Sequence, residues 1–292
     1  MAHSAFRIAG LDFMLGAALR NGDLPEPYRP FRISPEGVTD RCGTYTAIDF
    51  CAPRVSFMRG DALWRCETWR IGYADDGKLA LDLHSVAHED WFTVALLQPD
   101  FSSGFLYPLN GRNGARAEYP LNYPYDQAIL MNRLSWLSAG VVHACGVEID
   151  GRAWLFCGRS DVGKTTMGRR WRRHGGTLLN DDRMVLRLMG GEVFAAPSPW
   201  PGEERTVINR MLPLGGIFHL RQGDWNRIED LSVPEALARL VATSVAPFWF
   251  AEGMGRLLDT WAAVVERVPA YVLTSCPDDR VIQTIRDVLK EP

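Results

Sequence analysis

The sequence predicts an α/β protein in two parts: a P-loop domain built on a mixed sheet, preceded by a β-rich domain. Three observations carry this. Gly158-Arg-Ser-Asp-Val-Gly163-Lys164-Thr165-Thr166 matches the phosphate-cradling pattern of two glycines, a lysine and a hydroxyl residue. It is entered from an apolar run, Ala153–Cys157, and followed by a helical stretch, Lys164–His174, so strand, glycine loop and helix come in the required order. Residues 1–120 instead carry short runs of period two separated by Gly, Pro, Asp and Asn. The boundary is expected near 120, giving a β-rich domain over 1–120 and a P-loop domain over 121–292.

The composition excludes several classes. With 292 residues there is enough chain for two ordinary domains. Hydrophobic residues make up 47% and charged residues 23%, as in ordinary globular proteins. A net charge of −3 gives no basic footprint for nucleic acid or an acidic membrane. No apolar run approaches the length of a membrane span, and the N-terminal stretch lacks a basic-then-apolar signal pattern. The six cysteines (42, 51, 66, 145, 157, 276) form no C-x-x-C pair or Cys/His cluster, which argues against zinc and for reduced thiols in a cytoplasmic protein.

In chain order, strands are expected around Phe6–Ala9, Tyr45–Phe50, Arg54–Met58, Leu63–Ile71, Leu79–His84 and Trp91–Leu97, with a hairpin turn at Asp75-Asp76-Gly77. His84 and His88 stand four apart with no third ligand, which reads as a surface pair. Residues 108–125, rich in Pro, Gly, Asn and Tyr, read as the linker. A helix should follow, with Pro124 and Asp126 at its start, Gly140 at its stop and Ile129, Leu130, Leu134 and Leu137 on one face. Two strands joined at Asp150-Gly151 then deliver the glycine loop. Beyond its helix come a short strand, Thr177–Asn180, and a hairpin over Gly190-Gly191. A loop over 197–206 and a strand over Leu214–Leu220 follow. Helices are expected over Val233–Val245 and Met254–Glu266, a strand over Ala270–Thr274 and a last helix over Asp279–Lys290.

The chemistry centres on the loop. Gly158, Arg159, Ser160, Asp161, Val162, Gly163, Lys164, Thr165 and Thr166 would surround a polyphosphate. Backbone N–H groups and the helix N-terminus would supply positive potential, Lys164 would reach the outer phosphates, and Thr165 would face Mg²⁺. Such a site needs an acidic partner, and Asp181-Asp182 returns to it one helix and one strand later, although an Asp there can also simply open a turn. His143 lies on the strand before the loop strand. Glu203 or Glu204 could assist the metal, and Arg205 could hold an anion.

His143-Ala-Cys-Gly-Val, the Gly158–Thr165 loop and Leu179-Asn180-Asp181-Asp182 together resemble the HPr kinase/phosphorylase family, whose nucleotide core is shared with phosphoenolpyruvate carboxykinase. The resemblance covers about 124–290. The Pro-Trp-Pro-Gly-Glu loop and the "PLGGIFHL" strand look more like the HPr-kinase-related peptide kinases, including lasso peptide kinases. The resemblance implies a domain like the HPr kinase C-terminal domain, ATP and Mg²⁺ as cofactors, and phosphoryl transfer to a serine hydroxyl of a peptide or small protein, with a homo-oligomer as a possible assembly. It implies His143 near the γ-phosphate, Asp181 as base and Asp182 on the metal side, beside the Thr165 and Glu203 already read there from the residues. The sequence does not itself order the two aspartates. One departure is Asp161, where the family commonly has glycine. A small-metabolite acceptor, or a nucleotide-binding sensor or scaffold with little turnover, is the alternative.

Overall fold

A computed structural model describes residues 2–17, 24–39, 41–47, 56–84, 91–108 and 125–289. The chain forms two compact units. One comprises Met1–Arg7, Leu11–Arg133 and Pro247–Ala251, and the other Ile8–Gly10, Leu134–Ala246 and Glu252–Pro292. Both rest on large mixed sheets. The expected boundary near 120 and most of the expected linker fall in 109–124, outside the described residues, as do Pro124 and His88.

The first unit is built on β1 (Ala2–Ile8), β2 (Leu11–Ala17), β3 (Arg32–Ile33), β4 (Arg41–Ala47), β5 (Trp64–Arg65), β6 (Trp69–Tyr73), β7 (Leu79–His84), β8 (Trp91–Leu97) and β9 (Ser103–Pro108). Their order across the sheet is β3-β1-β2-β4-β9-β8-β7-β6-β5. The meander from β5 to β9 is antiparallel, whereas β4 runs parallel to both β2 and β9. The turn at Asp75–Gly77 joins β6 to β7, with Asp76 and Gly77 at φ of 59° and 68°. The long run Leu63–Ile71 breaks into two strands, because Cys66 N closes a tight turn on Trp69 O at 2.9 Å. Ser56–Met58, the described part of the expected strand Arg54–Met58, is not a strand. Strand β9 escaped the sequence reading.

Helix α1 (Tyr125–Ser135) buries Ile129, Leu130 and Leu134 as expected, while Leu137 lies past its end. Gly140 does not stop it. The helix ends five residues earlier, and Gly140 lies inside the next strand. A Cβ on Gly140 would meet Trp261 Cζ2 at 2.8 Å, so close packing explains the glycine.

The second unit contains β10 (Ala139–Ile149), β11 (Arg152–Cys157), α2 (Lys164–Arg173), β12 (Thr177–Asn180), β13 (Arg183–Met189), β14 (Glu192–Pro197), β15 (Leu212–Gln222) and β16 (Arg227–Asp230). It is completed by α3 (Val233–Ala242), β17 (Ser244–Val245), α4 (Ala251–Val265), β18 (Ala270–Ser275) and α5 (Arg280–Leu289). Strand β11, which leads into the glycine loop, is central, antiparallel to β10 on one side and parallel to β15 on the other. Strand β18 continues parallel beyond β15, and β12 flanks β10. Helices α2 and α5 bury Met167, Trp171, Val281, Ile282 and Ile285 against one sheet face. Helices α3 and α4 bury Ala236, Leu240, Leu257 and Trp261 against the other. Strand β16 was not expected. The helix expected to reach Val245 stops at Ala242, because Ser244 and Val245 pair with Val142 and Val141 of β10. Among the described residues, no helix is long and apolar enough to cross a membrane.

Candidate active site

The turn Asp150-Gly151, at φ of 51° and 77°, brings the chain back from β10 into β11, whose last five residues are fully enclosed or nearly so. The loop from Gly158 to Gly163 leaves that strand at its C-terminal end, where ligand sites of parallel sheets lie. A Cβ on Gly158 would stand 2.7 Å from Val162 Cγ1, so the tight curl of the loop needs that glycine. Gly163 enters the helix at φ of 107°, a conformation L side chains rarely adopt. Asp161 adopts φ of 63°, and its carbonyl accepts a 3.1 Å hydrogen bond from Gln222. The position where the resembling family commonly has glycine is therefore a left-handed one, which aspartate tolerates better than most residues.

Helix α2 opens with no acidic residue in its own first turn and no side-chain cap, so its N-terminal backbone amides are left without a side-chain acceptor from the cap position. Lys164 Nζ donates to the carbonyls of Gly158 at 3.1 Å and Arg159 at 2.9 Å and bends across the loop.

The acidic pair is positioned by Asn180. Its buried Oδ1 accepts the amides of Asp182 at 2.9 Å and Arg183 at 3.2 Å, and its Nδ2 donates to Ser198 O at 3.0 Å. The two aspartates then part company. Asp181 is 1% exposed, and its oxygens accept the amides of Gly202 at 2.9 Å and Glu204 at 3.1 Å and the Thr165 hydroxyl at 3.4 Å. The Asp182 side chain is 30% exposed, with Oδ1 3.8 Å from His143 Nδ1 and Oδ2 3.4 Å from Arg183 Nε. Burial works to raise the Asp182 carboxyl, but His143, Arg183 and Lys164 outweigh it and hold it below the usual carboxylate range.

Lys164, Thr165, Asp181, Asp182 and Glu203 line one cavity of about 320 Å³ together with Ser160, Asp161, Gly163 and Thr166. Gly158, Arg159 and Val162 line a neighbouring one. His143 lines neither and reaches the first through Asp182. Arg205 is exposed, and Glu204 is engaged by Arg169 at 2.5 Å and Arg172 at 2.8 Å. Those two arginines, with Arg169 also 3.2 Å from Glu203, tie the 202–204 loop to α2. In the sequence Asn180 stood out only as part of the motif ahead of the aspartates, with no role, and these arginines not at all, although Asn ahead of Asp-Asp is a residue that commonly binds backbone two positions on.

An oxygen-only set of one hydroxyl and two or three carboxylates suits a hard cation such as Mg²⁺, which takes one or two protein carboxylates and fills the rest of its shell with phosphate and water. No group of three His, Cys, Asp or Glu forms an all-protein metal cage among the described residues.

No protein-family model matches the chain, and no curated protein matches it. Among solved structures, the HPr(Ser) kinase/phosphatase from Coxiella burnetii is similar, with 13% identity and a TM-score of 0.29 over 51% of this chain and 98% of that one. The likeness is a distant structural one, and the chemistry rests on the residues described above.

Proposed function

We propose that this chain is an ATP-dependent phosphotransferase that moves the γ-phosphoryl group to a hydroxyl, the serine of a peptide or small protein being the acceptor that the motif order favours. The observation that carries the reading is the convergence of Lys164, Thr165, Asp181 and Asp182 on one cavity at an uncapped helix N-terminus.

Lys164 leaves the Gly158 and Arg159 carbonyls and neutralises the outer phosphates. Thr165 and Asp181 would hold Mg²⁺, since Asp181 Oδ1 keeps a lone pair beyond its bond from the Gly202 amide and the Thr165 hydroxyl already faces Oδ2. The bound ion supplies charge neutralisation for the leaving diphosphate. Asp182, ionised and more open, takes the acceptor proton, and His143 beside it orients that carboxylate. The acceptor oxygen forms its bond to the γ-phosphorus as the bond to the bridging oxygen breaks. ADP leaves with that electron pair. The burial contrast favours Asp182 as base and Asp181 on the metal side, the reverse of the order the resemblance implies.

The test uses γ-labelled ATP, Mg²⁺ and serine peptides. Label is expected in a phosphate ester, and Asp182→Asn is expected to lower kcat at least about a hundredfold. Label found only in inorganic phosphate, or an unimpaired Asp182→Asn, would remove the reading.

A further inference from the structure

Beside the glycine loop, on the sheet face covered by α3 and α4, lies a second cavity of about 590 Å³. It is lined by the first half of the loop, including Arg159, by His219 at the C-terminal end of β15, and by Arg239 and Thr243 at the C-terminal end of α3. Nothing in the proposed catalytic steps uses it. His219 is 4% exposed, and its Nε2 is buried with no hydrogen-bond partner. Buried polar atoms in native proteins are nearly always partnered by protein, ligand or ordered water, and this one belongs to a residue that lines the cavity. Burial, aided by the positive charge of Arg239, pushes the His219 imidazole down to about 4, so the ring is neutral at neutral pH and offers one uncharged hydrogen bond. Arg239 is exposed, and neither it nor Arg159 makes an ion pair among the described residues. Arg221 on the same rim is held by Glu229 at 2.7 Å.

The cavity connects to the proposed chemistry. Thr243 O accepts the amide of His143 at 2.8 Å, and the His143 ring stands 3.8 Å from Asp182. On the opposite face a further cavity of about 570 Å³, which leaves room for a nucleoside apart from the acceptor, borders Thr166, Met167 and Arg170 of α2 and Ser275–Pro277 at the end of β18.

We propose that the cavity at His219 and Arg239 is the acceptor site, and that it selects acceptors carrying an oxyanion close to the hydroxyl they present. Arg239 and Arg159 pair with the oxyanion, and His219 Nε2 donates to it or to the adjoining polar group. The proposal rests on the phosphotransferase reading. It adds the chemical class of the acceptor, which can be a free hydroxy acid or a serine peptide with acidic neighbours.

The test supplies the full chain with ATP, Mg²⁺ and matched acceptors: glycerate against glycerol, and a serine pentapeptide flanked by Asp against one flanked by Asn. ADP release is read. One of the charged acceptors should turn over about tenfold faster than its neutral counterpart, and which one does so separates a free acid from a peptide. Arg239→Ala and His219→Gln should each raise the KM for that acceptor about tenfold and leave the KM for ATP unchanged. Arg239 is exposed on its helix, so its variant keeps the fold, which a melting curve checks. Equal rates for charged and neutral acceptors, release with none of the four, or an Arg239→Ala effect confined to the KM for ATP would overturn the acceptor assignment. The phosphotransferase reading falls separately, if ATP with Mg²⁺ gives neither acceptor-dependent ADP release nor heat of binding.

Discussion

The amide of Gly202 donates to Asp181 Oδ1 at 2.9 Å, and a Cβ at Gly202 would stand 2.8 Å from Asp181 Oδ2 and 3.0 Å from Cγ. Loop and carboxylate are in backbone contact, and the glycine is what permits it. Gly202→Ala should therefore push the 202–204 loop away from Asp181. The expected cost is about 1–3 kcal/mol of stability in urea denaturation, together with weaker Mg²⁺-dependent ATP binding. An unchanged denaturation midpoint with unchanged binding would show that the contact is not needed.

Asp161 holds φ of 63° in the glycine loop. Asp161→Gly should be stabilising by about 0.5–1 kcal/mol, and Asp161→Val destabilising by about 1–2 kcal/mol, both read as shifts in thermal melting. Removing the carboxylate from beside the phosphate site should also tighten ATP binding, measured by calorimetry. Weaker binding by Asp161→Gly would give the side chain a positive role there.

Asp182 carries the pH dependence. Its folded carboxyl lies below its unfolded value, so the stability it contributes is present above about pH 4 and is lost as pH falls through the lower folded value. As the proposed base it is ionised throughout the neutral range, and only an acid limb is expected in kcat. His143→Gln removes one of the groups that lower this carboxyl, so the acid limb should move to higher pH. A limb that stays in place would separate His143 from Asp182.

Thiol chemistry checks the burial around the loop. Burial pushes Cys157 up to about 12, and Cys145 still higher. In the native protein iodoacetamide should label the exposed Cys66 and leave Cys145 and Cys157 unmodified until denaturant is added. Early labelling of Cys157 would mean that the end of β11 opens.

Local chemistry was legible in the sequence, and distant contacts were not. The turns at Asp150-Gly151 and Gly190-Gly191 need positive φ, and their residue types announce it. Gly140 carried the same letter for a different reason: its missing Cβ makes room for Trp261, more than a hundred residues away. The end of α3 was misjudged because Ser244 and Val245 are drawn into pairing with β10. At the site, the glycine loop and the aspartate pair could be named. The burial contrast between Asp181 and Asp182 could not, because it depends on the amides of Gly202 and Glu204, which arrive from another loop. Arg169 and Arg172 read as ordinary charges on a helix until Glu204 was found between them.

Calorimetric titration of the full chain with ATP in the presence of Mg²⁺, repeated with Lys164→Ala, tests the central claim most directly. The proposed phosphate site at Gly158–Thr166 predicts saturable binding, with at least about a tenfold loss of affinity when the lysine that bends across the loop is removed. No heat of binding with the native protein, or equal affinity in the lysine variant, would contradict it.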